Sequence, residues 1–211
     1  GIPAARERVS FDFGWRHLAA SPDEIPVPPQ APQAGRAFDD RHWNQVQLPH
    51  DALVAAGPSV SECPDGCSGE SFIPRRTLWY RKHFRLPPSW AHHRVVRLLF
   101  GGAFRNATVW VNGAVVLSHS SGYTPFSLRL DTLPSISYSI SNVIAVWVDP
   151  DNGADGSRRG GSGWWYEGGG LYRHAWLEAS SDVYLEQDSL FAWSALDSSL
   201  EQAKVYASAT V

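Results

Sequence analysis

Short apolar runs recur along this chain at roughly the 8 to 12 residue spacing expected of a sandwich or barrel, with clusters of Gly, Pro, Asn and Ser between them. Helical periodicity is scarce. The runs predict strands over Leu78–Leu86, Val95–Phe100, Ala107–Val111, Ala114–Leu117, Phe126–Leu130, Val143–Val148 and Tyr172–Glu178. Asn112-Gly113 joins two of them inside TVWVNGAVVL, and that dipeptide supplies the positive φ values a type I′ hairpin demands. In its first arm Ala107, Val109 and Val111 share one face and Thr108 and Trp110 the other, so both faces are largely apolar, as in an internal strand. Toward the end, Val205, Ala207, Ala209 and Val211 alternate with Lys204, Tyr206, Ser208 and Thr210, the period of two of a strand. The segment Asp182–Val211 therefore reads as the lead into a second β-domain.

The non-periodic stretches predict loops. Ser21–Ala34 carries five prolines, Pro58–Ser71 is rich in Ser, Gly and Pro, and Pro150–Gly163 mixes Asp, Gly, Ser and two arginines ahead of an aromatic cluster at Trp164. Loops of this length in a compact domain are more often functional or disordered than decorative.

Composition narrows the picture. The 211 residues suffice for one large all-β domain, or for one domain and the start of another, that needs neither metal nor disulfide to fold; stability is therefore no clue to cofactors, and none is expected. Eighteen Lys and Arg against 21 Asp and Glu, without a sustained run of either sign, argue against nucleic acid. No stretch of 18 or more apolar residues argues for a membrane span, and the chain reads as soluble. Methionine is absent even at position 1, so the sequence reads as a processed or excised fragment. A targeting signal could have preceded Gly1, which leaves the compartment open, with a secreted or extracytoplasmic one preferred. Ten Trp, seven Tyr and nine Phe suit both a sandwich core and the apolar faces of pyranose rings, with core or rim packing the expected fate of most.

Several local patterns carry little. Cys63 and Cys67, in CPDGC, lack zinc-site spacing and read equally as a small-loop disulfide or two free thiols. Asn106-Ala107-Thr108 is an N-glycosylation sequon at a strand start. PDNGADGS, Pro150–Ser157, fails the calcium-loop pattern at Gly153 and Ser162, and turn chemistry explains it.

Five segments, in order, are similar to successive parts of the first domain of glycoside hydrolase family 2, β-galactosidase-like. They are FDDRHWNQVQLPHDA at Phe38–Ala52, LWYRKHF at Leu78–Phe84, FGGAFRNATVWVNG at Phe100–Gly113, HSSGYTPFSLRL at His119–Leu130 and WWYEGGGLYRHAWL at Trp164–Leu177. FDFGWRHL at Phe11–Leu18 more loosely resembles its opening strand. The resemblance implies a jelly-roll-like, galactose-binding-domain-like β-sandwich over residues 1–181, and a linker with the start of an immunoglobulin-like domain over 182–211. In such relatives a (β/α)₈ barrel then supplies the two glutamates of a retaining mechanism, whose carboxyl groups stand about 5 to 5.5 Å apart. The expected function is that of the non-catalytic sugar-binding domain of an enzyme that hydrolyses terminal β-D-galactosides, inactive by itself. Its partners would be the carbohydrate, the immunoglobulin-like and barrel domains and, where it assembles, further copies of itself. The other reading is a stand-alone carbohydrate-binding or assembly module, since fold alone does not fix function.

Each candidate contact has a rival. Glu167 lies among glycines that would let backbone approach a ligand, but a bond to a loop amide or to Arg173 is the competing role. Some relatives place a sugar-binding Asp where Trp164 stands here. That leaves stacking by Trp164 or Trp165, or contacts from Asp155 or Arg158. Arg75 and Arg76 could offer guanidinium donors to sugar hydroxyls or to an acidic substituent, against a role as solvated loop charges. His50-Asp51, with no nucleophile nearby, is expected to tie a loop to the sandwich.

Overall fold

Residues that alternate apolar side chains in both directions can only be satisfied between two layers, and this is how the central strands are used. The computed structural model describes residues 6–20, 31–61, 72–74, 76–91, 94–150 and 168–211. The strands are β1 (Glu7–Ser10), β2 (Trp15–Ala19), β3 (Asn44–Val46), β4 (Leu78–Phe84), β5 (Val95–Phe100), β6 (Asn106–Val111), β7 (Ala114–His119), β8 (Phe126–Arg129), β9 (Asn142–Asp149), β10 (Ala175–Ser180), β11 (Phe191–Leu196) and β12 (Ala203–Ser208), with one short helix, α1 (Ala52–Ala56). A six-stranded sheet in the order β3-β2-β4-β9-β6-β7 faces a four-stranded sheet in the order β1-β10-β5-β8, and β11-β12 form a hairpin of their own. The strand pairs within all three sheets are antiparallel. The domain is a β-sandwich.

Between the sheets lie Phe11, Trp15, Tyr80, Phe84, Leu98, Phe100, Val109, Ile144, Val146 and Leu171. Their rings meet edge-on, Phe11 with Trp15 at 5.7 Å and with Phe84 at 5.3 Å, as aromatic quadrupoles favour. The opposite face of the six-stranded sheet is also dry. Trp79, Trp110, Ala145 and Trp147 project there and are covered by Ala31, Ala34, Phe38 and Trp43. Fully buried Arg81 anchors that cover. Its Nε meets Asp40 at 2.9 Å, and its guanidinium also donates to the carbonyls of Gln33, Gly35 and Phe38.

The hairpin expected at Asn112-Gly113 is present, with φ of 53° and 92° at the two residues, and Val111 pairs with Ala114. A register shift follows between Val109 and Trp110, so β7 runs on to His119 beyond the expected Leu117. As anticipated, β6 is internal, lying between β9 and β7.

Three boundaries differ from expectation. β4 stops at Phe84, the last residue paired to β9, and the prolines at 87 and 88 cannot donate to a ladder. β10 starts at Ala175 rather than Tyr172, because Asp12 accepts from the Ala175 amide (2.8 Å) and Tyr172 turns instead toward Gly122. Of the single opening strand expected over Phe11–Leu18, only Trp15–Leu18 is strand, in β2; β1 has already ended at Ser10 in the other sheet, and the chain crosses between them through Gly14, whose φ is 75°. Helix α1 was not foreseen. Asp51 caps it by accepting from Leu53 and Val54 N–H, each at 3.1 Å, and Gly57 closes it.

Candidate functional site

Strand β9 ends at Asp149 and β4 begins at Leu78, so antiparallel pairing puts the loops that follow and precede them at one end of the sandwich. The Gly-rich segment Gly168–Leu171 is bound there on two sides. Toward α1, His50 N–H donates to Leu171 O (2.8 Å), Ala52 N–H to Gly169 O (2.9 Å), and Gly169 N–H to Asp51 Oδ1 (3.3 Å). Toward the connection between β5 and β6, Phe104 and Gly170 exchange backbone hydrogen bonds of 2.9 and 3.1 Å.

The glycines permit this docking. A Cβ on Gly169 would stand 2.7 Å from a Leu53 methyl and 3.4 Å from Pro150. A Cβ on Gly170, whose φ is 126°, would run into Tyr80 Oη and stand 2.7 Å from His50 O. The close approach expected of a ligand near Glu167 is, at residues 169 and 170, an approach of the protein to itself.

Beneath the turn sits a polar cluster. His50 Nδ1 and Tyr80 Oη are 2.9 Å apart, and the His17 ring lies 4.9 Å from Tyr80 and 5.1 Å from His50. His17 Nδ1 is 3.1 Å from Trp79 O. Burial, reinforced by the neighbouring His50, pushes His17 down to about 4, and burial also lowers His50. The Tyr80 hydroxyl is held well above its ordinary range, chiefly by burial. All three are neutral at pH 7. His50-Asp51 does tie a loop to the sandwich, as the sequence suggested, through helix cap, turn and Tyr80.

Asp12 sits in the break between β1 and β2, where its Oδ2 meets His174 Nδ1 at 2.8 Å and its Oδ1 accepts the Ala175 amide at 2.8 Å. Lys82 donates to the carbonyls of Phe11 and Phe13 (2.8 and 2.7 Å) and lies 3.7 Å from the Phe11 ring centre, and burial lowers its ammonium to about 8. These groups brace the strand break.

Of the residues singled out in the sequence, Arg76 is half-buried in the lead to β4, at this same end. Trp164, Trp165, Glu167, Asp155, Arg158 and Arg75 lie outside the described residues, as do Cys63 and Cys67. Tyr80 and His17, central to the cluster, were not anticipated. Both occupy ordinary strand positions, and only the fold brings them to His50.

No family model matches the chain. Among curated proteins it is 34% identical over 185 residues to a β-galactosidase of Bacteroides ovatus, covering 87% of this chain and 19% of that enzyme. It is 26% identical over 192 residues to a β-glucuronidase of Formosa agariphila, covering 87% of this chain and 18% of that one. Among solved structures a β-glycosidase from Bacteroides vulgatus superposes with a TM-score of 0.75 at 27% identity, over 97% of this chain and 24% of that chain. The chain thus spans about a fifth of the length of the curated relatives it matches.

Proposed function

The chain is an amino-terminal β-sandwich domain of glycoside hydrolase family 2, and on that premise we propose that it serves as a non-catalytic wall of the sugar pocket in a retaining enzyme that releases terminal β-D-galactose. The observation that carries this reading is the state of two carboxylates among the described residues, at the strand break and beside the Gly168–Leu171 turn. Asp12 has both oxygens engaged by His174 and an amide, and Asp51 Oδ1 receives N–H groups from Leu53, Val54 and Gly169. Such groups can fix a turn but are poorly placed to act as acid or nucleophile. Glycoside hydrolysis needs two free carboxyl groups flanking the bond. Glutamates from a separate barrel would provide them, and the Gly168–Leu171 anchor would hold the neighbouring loop against that site.

Trp164 or Trp165 would stack on the sugar, with Glu167, Asp155, Arg158, Arg75 and Arg76 as the polar contacts. The exposed β11–β12 hairpin, with stacked Phe191, Trp193 and Tyr206 rings 5.3 and 5.2 Å apart, fits the start of an immunoglobulin-like domain over residues 182–211. A two-stranded hairpin is marginal without further cover.

The test compares the 211-residue chain with a polypeptide that continues into barrel sequence, using p-nitrophenyl β-D-galactoside and β-D-glucuronide. Turnover of the galactoside by the longer polypeptide and none by the chain is the expected result. Turnover by the chain alone would refute the division of labour. Preference for the glucuronide would replace the galactoside and leave the domain's role intact.

A further inference from the structure

The outer face of the four-stranded sheet carries two rows of side chains of different character. Antiparallel partners project to the same face, so the register sets Arg8, Glu178, Arg97 and Arg129 in one row and Ser10, Trp176, Leu99 and Ser127 in the next. The charged row is satisfied within the chain. Arg8 meets Glu178 at 3.4 Å, Arg129 meets Asp131 at 2.5 Å, and the Arg97 guanidinium is hydrogen-bonded to Tyr184 and lies 4.2 Å from its ring centre. Tyr184 thereby ties the segment after β10 to the sheet, helped by Leu185 O, which accepts from Arg6 at 2.5 Å.

Over the second row the chain leaves a cavity of about 180 Å³, walled by Leu99, Pro125, Ser127 and Trp176 from the sandwich and by Gln187 and Asp188 from the segment that follows it. Gln187 and Asp188 are the middle of a turn closed by Ser189, whose N–H and hydroxyl both donate to Glu186 O, at 3.4 and 2.8 Å. The turn is fixed in its place, because Glu186 N–H donates to Thr210 O at 2.9 Å. Arg8 lies 4.1 Å from the Trp176 ring centre and braces the indole. Among the described residues, no hydrogen bond or ion pair engages the side chains of Ser127, Gln187 and Asp188 or the Trp176 Nε1–H.

These groups offer donors and acceptors together beside an apolar wall. The carboxylate takes only donors, the indole N–H and the amide N–H groups take only acceptors, and the hydroxyl takes either. An ammonium ion would meet the carboxylate and leave the donors facing a like donor; an inorganic anion would do the reverse. Hydroxyl groups on a saturated ring supply both at once and set its C–H face on Leu99 and the indole. The cavity has room for about six waters, the scale of one sugar ring. We propose that it binds a single neutral pyranose unit, with hydroxyls on Asp188, Gln187 and Ser127 and the apolar face of the ring against Trp176. None of these residues belongs to the Gly168–Leu171 turn or to the cluster beneath it, so the site is an additional one that holds a sugar without presenting it to that turn. The assignment does not rest on the pocket-wall reading.

The test titrates the 211-residue chain, followed by NMR, with the methyl β-D-pyranosides of galactose, glucose and mannose, and with butylammonium chloride for comparison. Binding of at least one pyranoside, with shifts at the Trp176 indole N–H and the Gln187 side-chain amide, is expected. Asp188→Ala, at an exposed position, should weaken it about tenfold, the loss of one charge-assisted contact, and Trp176→Ala should weaken it by at least as much. Asp188→Ala carries the test by itself should Trp176→Ala fold poorly. No pyranoside binding, shifts confined to Gly168–Leu171, or indifference to Asp188→Ala overturns the proposal. Butylammonium binding as tightly as the pyranosides marks a cation site and overturns the saccharide assignment. Hydrolysis of galactosides by the longer polypeptide tests the pocket-wall reading separately, and either result there leaves this site as it stands.

Discussion

Replacing Gly170 by Ala tests whether the Gly-rich turn is held by close packing on Tyr80. The new methyl group would sit at φ 126°, run into Tyr80 Oη, and stand 2.7 Å from His50 O. Tyr80 cannot step aside, since it is fully buried in β4 between β2 and β9. The turn must move instead, at the expense of the Phe104–Gly170 pair of 2.9 and 3.1 Å. The unfavourable backbone conformation costs about 1 to 3 kcal/mol, and the disturbed hydrogen bonds about 1 kcal/mol each. A loss of about 3 to 5 kcal/mol follows, or a fall in Tm of roughly 6 to 20 °C for a chain of this size. Thermal unfolding by circular dichroism measures it. Gly14→Ala is the control, because Gly14 also has positive φ (75°) but nothing within 4 Å of its Cβ position. Adding Tyr80→Phe removes the colliding oxygen and should recover part of the loss. If Gly170→Ala costs no more than Gly14→Ala, or Tyr80→Phe brings no recovery, the packing argument fails.

His17, lowered to about 4 by burial and by His50, refuses a proton that the unfolded chain takes up below its ordinary value of 6.5. The contribution is therefore fully present above pH 6.5 and is lost as pH falls toward 4, by about 3 kcal/mol. Urea midpoints at pH 7, 5.5 and 4.5 should show the decline, and His17→Gln should flatten it. Asp40→Ala would leave Arg81 charged and buried without its 2.9 Å partner, at a cost of about 3 to 5 kcal/mol in urea unfolding. Asp51→Ala should cost about 1 to 2 kcal/mol, because the α1 cap and the Gly169 amide both lose their acceptor, and it should raise amide exchange over Gly168–Leu171.

Strand identity is legible where burial repeats every second residue. In β9, Ile144, Val146 and Val148 enter the inter-sheet core while Ala145 and Trp147 enter the outer layer, so an unbroken apolar run marks a central strand. The turn at Asn112-Gly113 is legible because few other residues tolerate its two positive φ values. Helix α1 also had a local signal, Asp51 ahead of Ala52–Ala56 with Gly57 after it, but five residues are too short for periodicity to reveal. The polar cluster had none. His17, His50 and Tyr80 come from three separate stretches, and nothing in their neighbours says that they will share a site. The tie at His50-Asp51 is legible in outline, yet its partners Tyr80 and Gly169 are set by topology alone.

The abundance of tryptophan, the most conspicuous feature of the composition, has a structural explanation that bears on sugar recognition. Trp15, Trp43, Trp79, Trp90, Trp110 and Trp147 are all buried, several of them because the six-stranded sheet is covered on both faces and its outer layer is built from large flat rings over small alanines. Trp43, Trp79 and Trp110 keep buried Nε1–H groups with no hydrogen-bond partner among the described residues, a cost that volume-filling offsets and that a solvent-facing sugar platform would not incur. A count of aromatics therefore says little about carbohydrate binding in this chain. Among the described residues the ring exposed beside the Gly168–Leu171 anchor is Tyr123, which is 69% exposed and leans edge-to-face on Phe104 at 5.7 Å, so it offers solvent a face that the buried tryptophans do not.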